Sequence, residues 1–222
     1  MDVPRIPKSL QTAASRVPAR MELPTLREAA ACCTACNLYI GATQTVFGEG
    51  SPHADLFFIG EQPGDYEDEK GSPFAGAGGR YLEICLREAG IARERVYFTN
   101  VVKHFKWEPR GSRRVQAKPH VTEILACAPW LMAELRAVRP KVIVCLGATA
   151  AKAVLGKEFR VTQSRGTYVD VPGYGPTFAT LHPSSILRIT GEMEKRREKE
   201  RFIDDLRRVA SLADSYARAG AA

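Results

Sequence analysis

No stretch of this 222-residue sequence approaches the roughly 18–20 consecutive apolar residues that a bilayer-crossing helix needs, and no basic start leads into an apolar secretory core. No membrane association is expected, and a cytoplasmic location is. The chain also lacks the length for two comfortable domains, which points to one domain with a sizeable core. The compositional bias of disordered or fibrous chains is missing as well, since 45% of residues are hydrophobic and 26% charged. Without a secretion signal, the six cysteines (Cys32, Cys33, Cys36, Cys85, Cys127, Cys145) do not read as a disulfide framework. They raise the question of metal binding instead.

The formal charge of +7 favours an anionic partner such as nucleic acid, because neutralising phosphates releases counterions. Residues 1–20 hold three prolines and four basic residues without apolar periodicity. They read as an extended or loosely docked N-terminal extension, with the folded domain spanning 21–222.

Four short β-rich runs follow: Ala54 to Gly60, Val96 to Val102, Lys141 to Gly147 and Thr177 to Leu181. Between and before them, apolar positions three and four apart predict helices over Leu23 to Cys32, Gly79 to Ala89, Val121 to Val138 and Ala148 to Leu155. Strands about 40 residues apart with helices between them imply right-handed crossovers. The expected fold is α/β, a three-layer α/β/α sandwich around a mainly parallel, four-stranded sheet. From Gly191 to Ala217 a charged face and a narrow stripe of Phe202, Ile203 and Leu206 predict a surface-packed helix. Ligands of such sheets bind beyond the C-terminal strand ends, which directs attention to Gly60 to Asp68, Asn100 to His104 and His182 to Arg188.

Cys33 and Cys36 form a C-x-x-C pair whose sulfurs can bind one metal centre, with a redox or structural pair as the alternative. Cys32 could take the place of Cys33. Cys85 and Cys145 lie on apolar faces, where cysteine acts as a small hydrophobe.

Four separated segments are recognisable in order: GEQPGDYEDEKGSPFAGAGGRYL from Gly60, then TNVVKHFKW, LGATAAKAVLG and TLHPSSILR. Together they resemble the uracil-DNA glycosylase superfamily, within it the iron–sulfur group related to family 4, and most of all its UdgX-like branch. The resemblance runs from about Thr25 to Leu206. It implies a 4Fe–4S cluster on Cys33, Cys36, His104 and Cys127, with His104 where family 4 has its third cysteine. Imidazole can replace thiolate on iron, and a three-cysteine, one-histidine set also suits zinc. His120 is an alternative imidazole.

The resemblance also implies a base-flipping pocket in a monomer that acts on uracil-containing DNA, single- or double-stranded. Phe74 would stack on the flipped base, Asn100 would read its O4 and N3–H edge, and His182 would stabilise charge at O2. Glu61, Asp65 and Asp68 ring the first loop, with Glu61 the first choice to position water and stabilise the sugar cation. Gln62 would offer backbone contacts to the base. Ser184, Ser185 and Arg188 would grip phosphates.

One segment departs from the UdgX-like pattern KRRIH, whose histidine attacks the sugar: here it reads SRRVQ, Ser112 to Gln116. An amide has its nitrogen lone pair delocalised, so Gln116 should not attack, and water should complete hydrolysis to an abasic site. A uracil-DNA binder without turnover and a covalent trap are the alternatives. Arg113 and Arg114 of this loop would contact phosphate or wedge near the lesion.

Overall fold

The strands LFFIG, VYFTN and VIVCL carry no polar alternation, the pattern expected when both faces of a parallel sheet are covered. In the computed structural model, which describes residues 11–219, every residue of these three strands is buried. The strands are β1 (Glu49–Gly50), β2 (Leu56–Gly60), β3 (Val96–Asn100), β4 (Trp107–Arg110), β5 (Arg113–Gln116), β6 (Val142–Leu146), β7 (Tyr168–Val171) and β8 (Gly175–Thr180). The main sheet has six strands in the order β1-β3-β2-β6-β8-β7. Its four central strands, β3, β2, β6 and β8, are mutually parallel, and the expected four-stranded sheet is corrected by antiparallel edges, β1 and β7. Both edges are weak in sequence: β1 has two residues, and β7 alternates exposed with half-buried positions.

The helices are α1 (Leu23–Ala31), α2 (Leu38–Gly41), α3 (Asp65–Lys70), α4 (Ala77–Glu88), α5 (Val121–Val138), α6 (Ala148–Leu155), α7 (Val161–Ser164), α8 (Pro183–Leu187) and α9 (Glu192–Ala219). Successive strand residues point to opposite faces, so β2 divides its side chains between two cores. Phe57 and Ile59 join the core that also holds Leu26 of α1 and Trp130 of α5. Leu56 and Phe58 join Leu82 of α4 with Phe202 and Leu206 of α9. The narrow stripe read in the C-terminal helix is therefore core: Phe202 and Leu206 are fully buried.

The described part of the N-terminal segment docks. Ala13 is fully buried in the α1–α5 core, and Arg16 donates to Thr34 Oγ1 at 2.6 Å. Residues 1–10 of the expected extension lie outside the described residues. No described helix is long and apolar enough to cross a membrane.

Candidate active site

A cleft of about 720 Å³ opens where the parallel strands end, lined by Glu61 after β2, Asn100 at the end of β3, Gly147 after β6 and His182 after β8. β2 and β6 lie side by side while their connections leave in opposite directions, the topological switch where such sheets bind ligands. The volume suits a small organic group.

The floor is built by close approach. A Cβ on Gly60 would meet Asn100 Oδ1 at 2.3 Å and Phe74 Cζ at 2.8 Å, so only glycine leaves both side chains in place. Phe74 itself has φ 59°, a left-handed backbone costly for an aromatic residue. A Cβ on Gly79 would fall 1.5 Å from the Phe74 carbonyl oxygen, which explains the glycine opening α4. Strain concentrated here holds the Phe74 ring against Phe98, 5.1 Å between centroids, and nearly parallel to the His182 ring at 6.2 Å. Asn100 is buried, and its carbonyl accepts a hydrogen bond from Lys103 Nζ at 2.8 Å.

His182 caps α8 with its side chain: the Ser184 amide donates to Nδ1 at 3.2 Å. Burial, aided by the Arg188 charge, holds the imidazole down to about 4, so it is neutral at physiological pH. With Nδ1 accepting, the proton of the neutral ring sits on Nε2.

Glu61 is gripped from two sides. The Thr149 hydroxyl of α6 donates to Oε2, and Gln116 Nε2 donates weakly to Oε1 at 3.4 Å. Thr149 went unrecognised in the sequence, although the LGATA turn that carries it follows β6 directly. Lys118 also lines the cleft and was missed.

Gln116 ends the β4–β5 hairpin, an element the sequence reading did not resolve. Gln62 pins its base: Nε2 donates to the Ala117 carbonyl at 2.7 Å, and Oε1 accepts from the Lys106 amide at 2.8 Å. The Gln62 side chain is thus spent on scaffold, leaving only its backbone for a ligand.

Two expectations are corrected. Asp68 is fully buried outside the cleft lining, accepting from the Thr43 amide at 3.0 Å and from Arg114 Nη1 at 2.7 Å. Arg114 also bonds Asp65 at 2.6 Å and lies over the Phe105 and Trp107 rings, so it locks the hairpin to α3 rather than offering its charge to phosphate. Asp65 lines the cleft but is committed to Arg114. Ser184, Ser185 and Arg188 also line the cleft.

Cys33 and Cys127 are buried and Cys36 half-buried, and Cys127 lies close enough to the other two to feel their charge. Trp130 Nε1 donates to Cys33 Sγ at 3.2 Å. Burial pushes the Cys127 thiol up to about 12 against the Lys103 charge and amide, and raises Cys36 as well. His104 is buried, and burial lowers its imidazole to about 4. The Thr45 hydroxyl donates to the Ala30 carbonyl at 3.1 Å and contacts His104 Nε2 at 2.9 Å. Nε2 must then carry the ring proton, which leaves Nδ1 with its lone pair. Among the described residues no three His, Cys, Asp or Glu side chains close to single-ion spacing. Cys85 and Cys145 are core thiols, as expected.

The sheet and its cleft define an α/β domain whose cleft, lined by the Phe74 ring and by polar side chains, lies at the switch point. A sequence profile described as "Uracil DNA glycosylase superfamily" matches residues 47–207. A "Type-4 uracil-DNA glycosylase" of Thermotoga maritima is 42% identical over 157 residues, covering 70% of this chain and 78% of that protein. Type-4 uracil-DNA glycosylases of Sulfurisphaera tokodaii and Archaeoglobus fulgidus are 35% and 34% identical, covering 79% and 81% of this chain and 84% and 87% of theirs. The chain belongs to the uracil DNA glycosylase superfamily.

Proposed function

We propose that this protein is a uracil-DNA glycosylase that extrudes uracil from DNA and hydrolyses its N-glycosidic bond, leaving an abasic site. The observation that carries the reading is the convergence of Glu61, Phe74, Asn100 and His182 on one cleft. Phe74 stacks on the base, and the Asn100 amide pairs with its O4 and N3–H. As the C1′–N1 bond breaks, negative charge gathers on the base, and the His182 Nε2–H donates to O2. Glu61, oriented by Thr149 and Gln116, faces the positive sugar and directs water to C1′. Ser184, Ser185 and Arg188 hold phosphate. An end-labelled single strand containing uracil, incubated with the protein and then heated in alkali, tests the reading: alkali-dependent cleavage is expected, and intact DNA would leave a binder without turnover.

Within the family we infer a UdgX-like active-site loop whose nucleophilic histidine is replaced by Gln116. The support is its position 3.4 Å from Glu61 and the weak nucleophilicity of an amide. Gln116→His is expected to yield DNA adducts that survive SDS electrophoresis, while the parent yields none. No adduct from the variant would undo the alignment.

We further infer that Cys33, Cys36 and Cys127, with Nδ1 of His104, hold a 4Fe–4S cluster. The support is a soft donor set from two buried thiols, one half-buried thiol and a ring nitrogen left free by Thr45, gathered where α1 approaches α5. When bound, such a cluster would cross-link the α1–α2 connection to α5 and to the segment after β3. Cys127→Ala is expected to lose iron and the brown chromophore. Unchanged iron content, or zinc alone in the purified protein, would sink this ligand set.

A further inference from the structure

Beside the cleft, the ring of Tyr66 on α3 lines the rim with 46% of its surface exposed, although most aromatic rings in this protein are packed. Two cations attend it: Lys70 Nζ lies 5.6 Å from the ring centroid and Arg80 Cζ 6.0 Å. Arg80 is anchored by a 2.9 Å hydrogen bond from Nη1 to the Ala75 carbonyl. The acidic residues of the same helix are engaged elsewhere. Glu67 accepts from the Gly64 and Gly76 amides at 3.0 and 2.9 Å, whereas Asp65, Asp68 and Glu69 face Arg114. Among the described residues neither Lys70 nor Arg80 has a carboxylate within salt-bridge distance.

An exposed ring with two uncompensated cations at the mouth of a base pocket matches what single-stranded nucleic acid needs, a stacking face beside backbone charge. The cleft itself already offers Ser184, Ser185 and Arg188. We propose that Tyr66, Lys70 and Arg80 form a second subsite, which takes the nucleotide next to the flipped one. Its base stacks on Tyr66, and Lys70 and Arg80 neutralise its flanking phosphates. The subsite deepens the glycosylase reading and rests on it, because the flipped nucleotide sets where its neighbour lies.

The test is fluorescence anisotropy with three short uracil-containing single strands: one with normal neighbours, one with an abasic spacer 5′ to the uracil and one with the spacer 3′ to it. All proteins compared carry Glu61→Gln, so that substrate survives the titration, and release by the parent chain is assayed in parallel. Tyr66→Ala is expected to raise Kd about 5- to 150-fold on the normal strand. Tyr66→Phe should restore tight binding, and one of the two spacers should abolish the alanine effect. The pair Lys70→Ala and Arg80→Ala should make the slope of log K against log salt shallower by about 1.4, two phosphates at 0.7 each. An unchanged Kd in Tyr66→Ala, or an effect equal on all three strands, overturns the subsite. Failure of the parent to release uracil, with the Kd pattern intact, would instead count against glycosylase activity alone.

Discussion

His182→Ala is expected to slow uracil release in a single turnover about 10²–10³-fold, the usual cost of losing one preorganised donor to a developing anion. On the proposed reading the loss belongs to the chemical step, because the Nε2–H would meet charge that exists only as the base departs. Affinity for uracil-DNA should change far less, since on that reading Phe74 and Asn100 would still hold the base. The protonation state gives a second readout. With its imidazole held down to about 4, His182 is already neutral throughout the physiological range. The wild-type rate should therefore show no histidine limb near the ordinary value of about 6.5. It should fall only as pH drops through about 4, where a second proton reaches Nδ1 and displaces the Ser184 amide. Rapid-quench release measured from pH 3 to 8 checks both; a limb near 6.5, or a defect confined to binding, would remove His182 from this role.

Glu134→Ala should cost about 3–5 kcal/mol of folding stability, read as a lower midpoint in urea, because it strands a buried cation. Lys103 and Glu134 are almost wholly inaccessible, with side-chain exposures of 1% and 0%, and their charged atoms are 2.5 Å apart. Glu134 also accepts from the Gly48 amide at 2.9 Å, from Thr99 Oγ1 and from the Tyr97 hydroxyl. Burial, and then the Glu134 charge, raises Tyr97 far above the ordinary phenol range, so it remains a donor. A Cβ on Gly48 would come 2.3 Å from Glu134 Oε1, so the glycine belongs to this network. Replacing both partners together, Lys103→Met with Glu134→Leu, should recover much of the loss, since an apolar pair of similar volume needs no desolvation of charge. The double variant should still release uracil more slowly, because Lys103 Nζ also tethers the Asn100 carbonyl. A single-variant loss below about 1 kcal/mol would mean that water reaches the pair.

The clearest sequence signals were those written locally. LFFIG, VYFTN and VIVCL announce strands covered on both faces, because a run of adjacent apolar residues can satisfy two cores at once. The helices between them follow from apolar spacing, and the parallel order from the length of the connections. The strand ends pointed to the segments that hold Glu61, Asn100 and His182, and the resemblance of their motifs to the glycosylase family singled out these residues. Weak local signals failed: the two-residue β1, the half-exposed β7 and the polar β4–β5 hairpin all owe their pairing to partners elsewhere in the chain.

Partnerships between distant charges were beyond reach for the same reason. Nothing in the EDEK run tells that Asp68 turns inward to meet an arginine 46 residues later. Arg114 likewise reads as a free basic side chain until the hairpin folds back on α3. Lys103 and Glu134, 31 residues apart, look like ordinary surface charges until β3 and α5 close over them. Composition, strand runs and motif order reside in neighbouring residues and survive in the unfolded chain, so the fold class and the cleft's principal residues could be read without coordinates. Which charges turn inward, and which remain to meet DNA, depends on a desolvation cost and a Coulombic gain that arise only once the elements have packed.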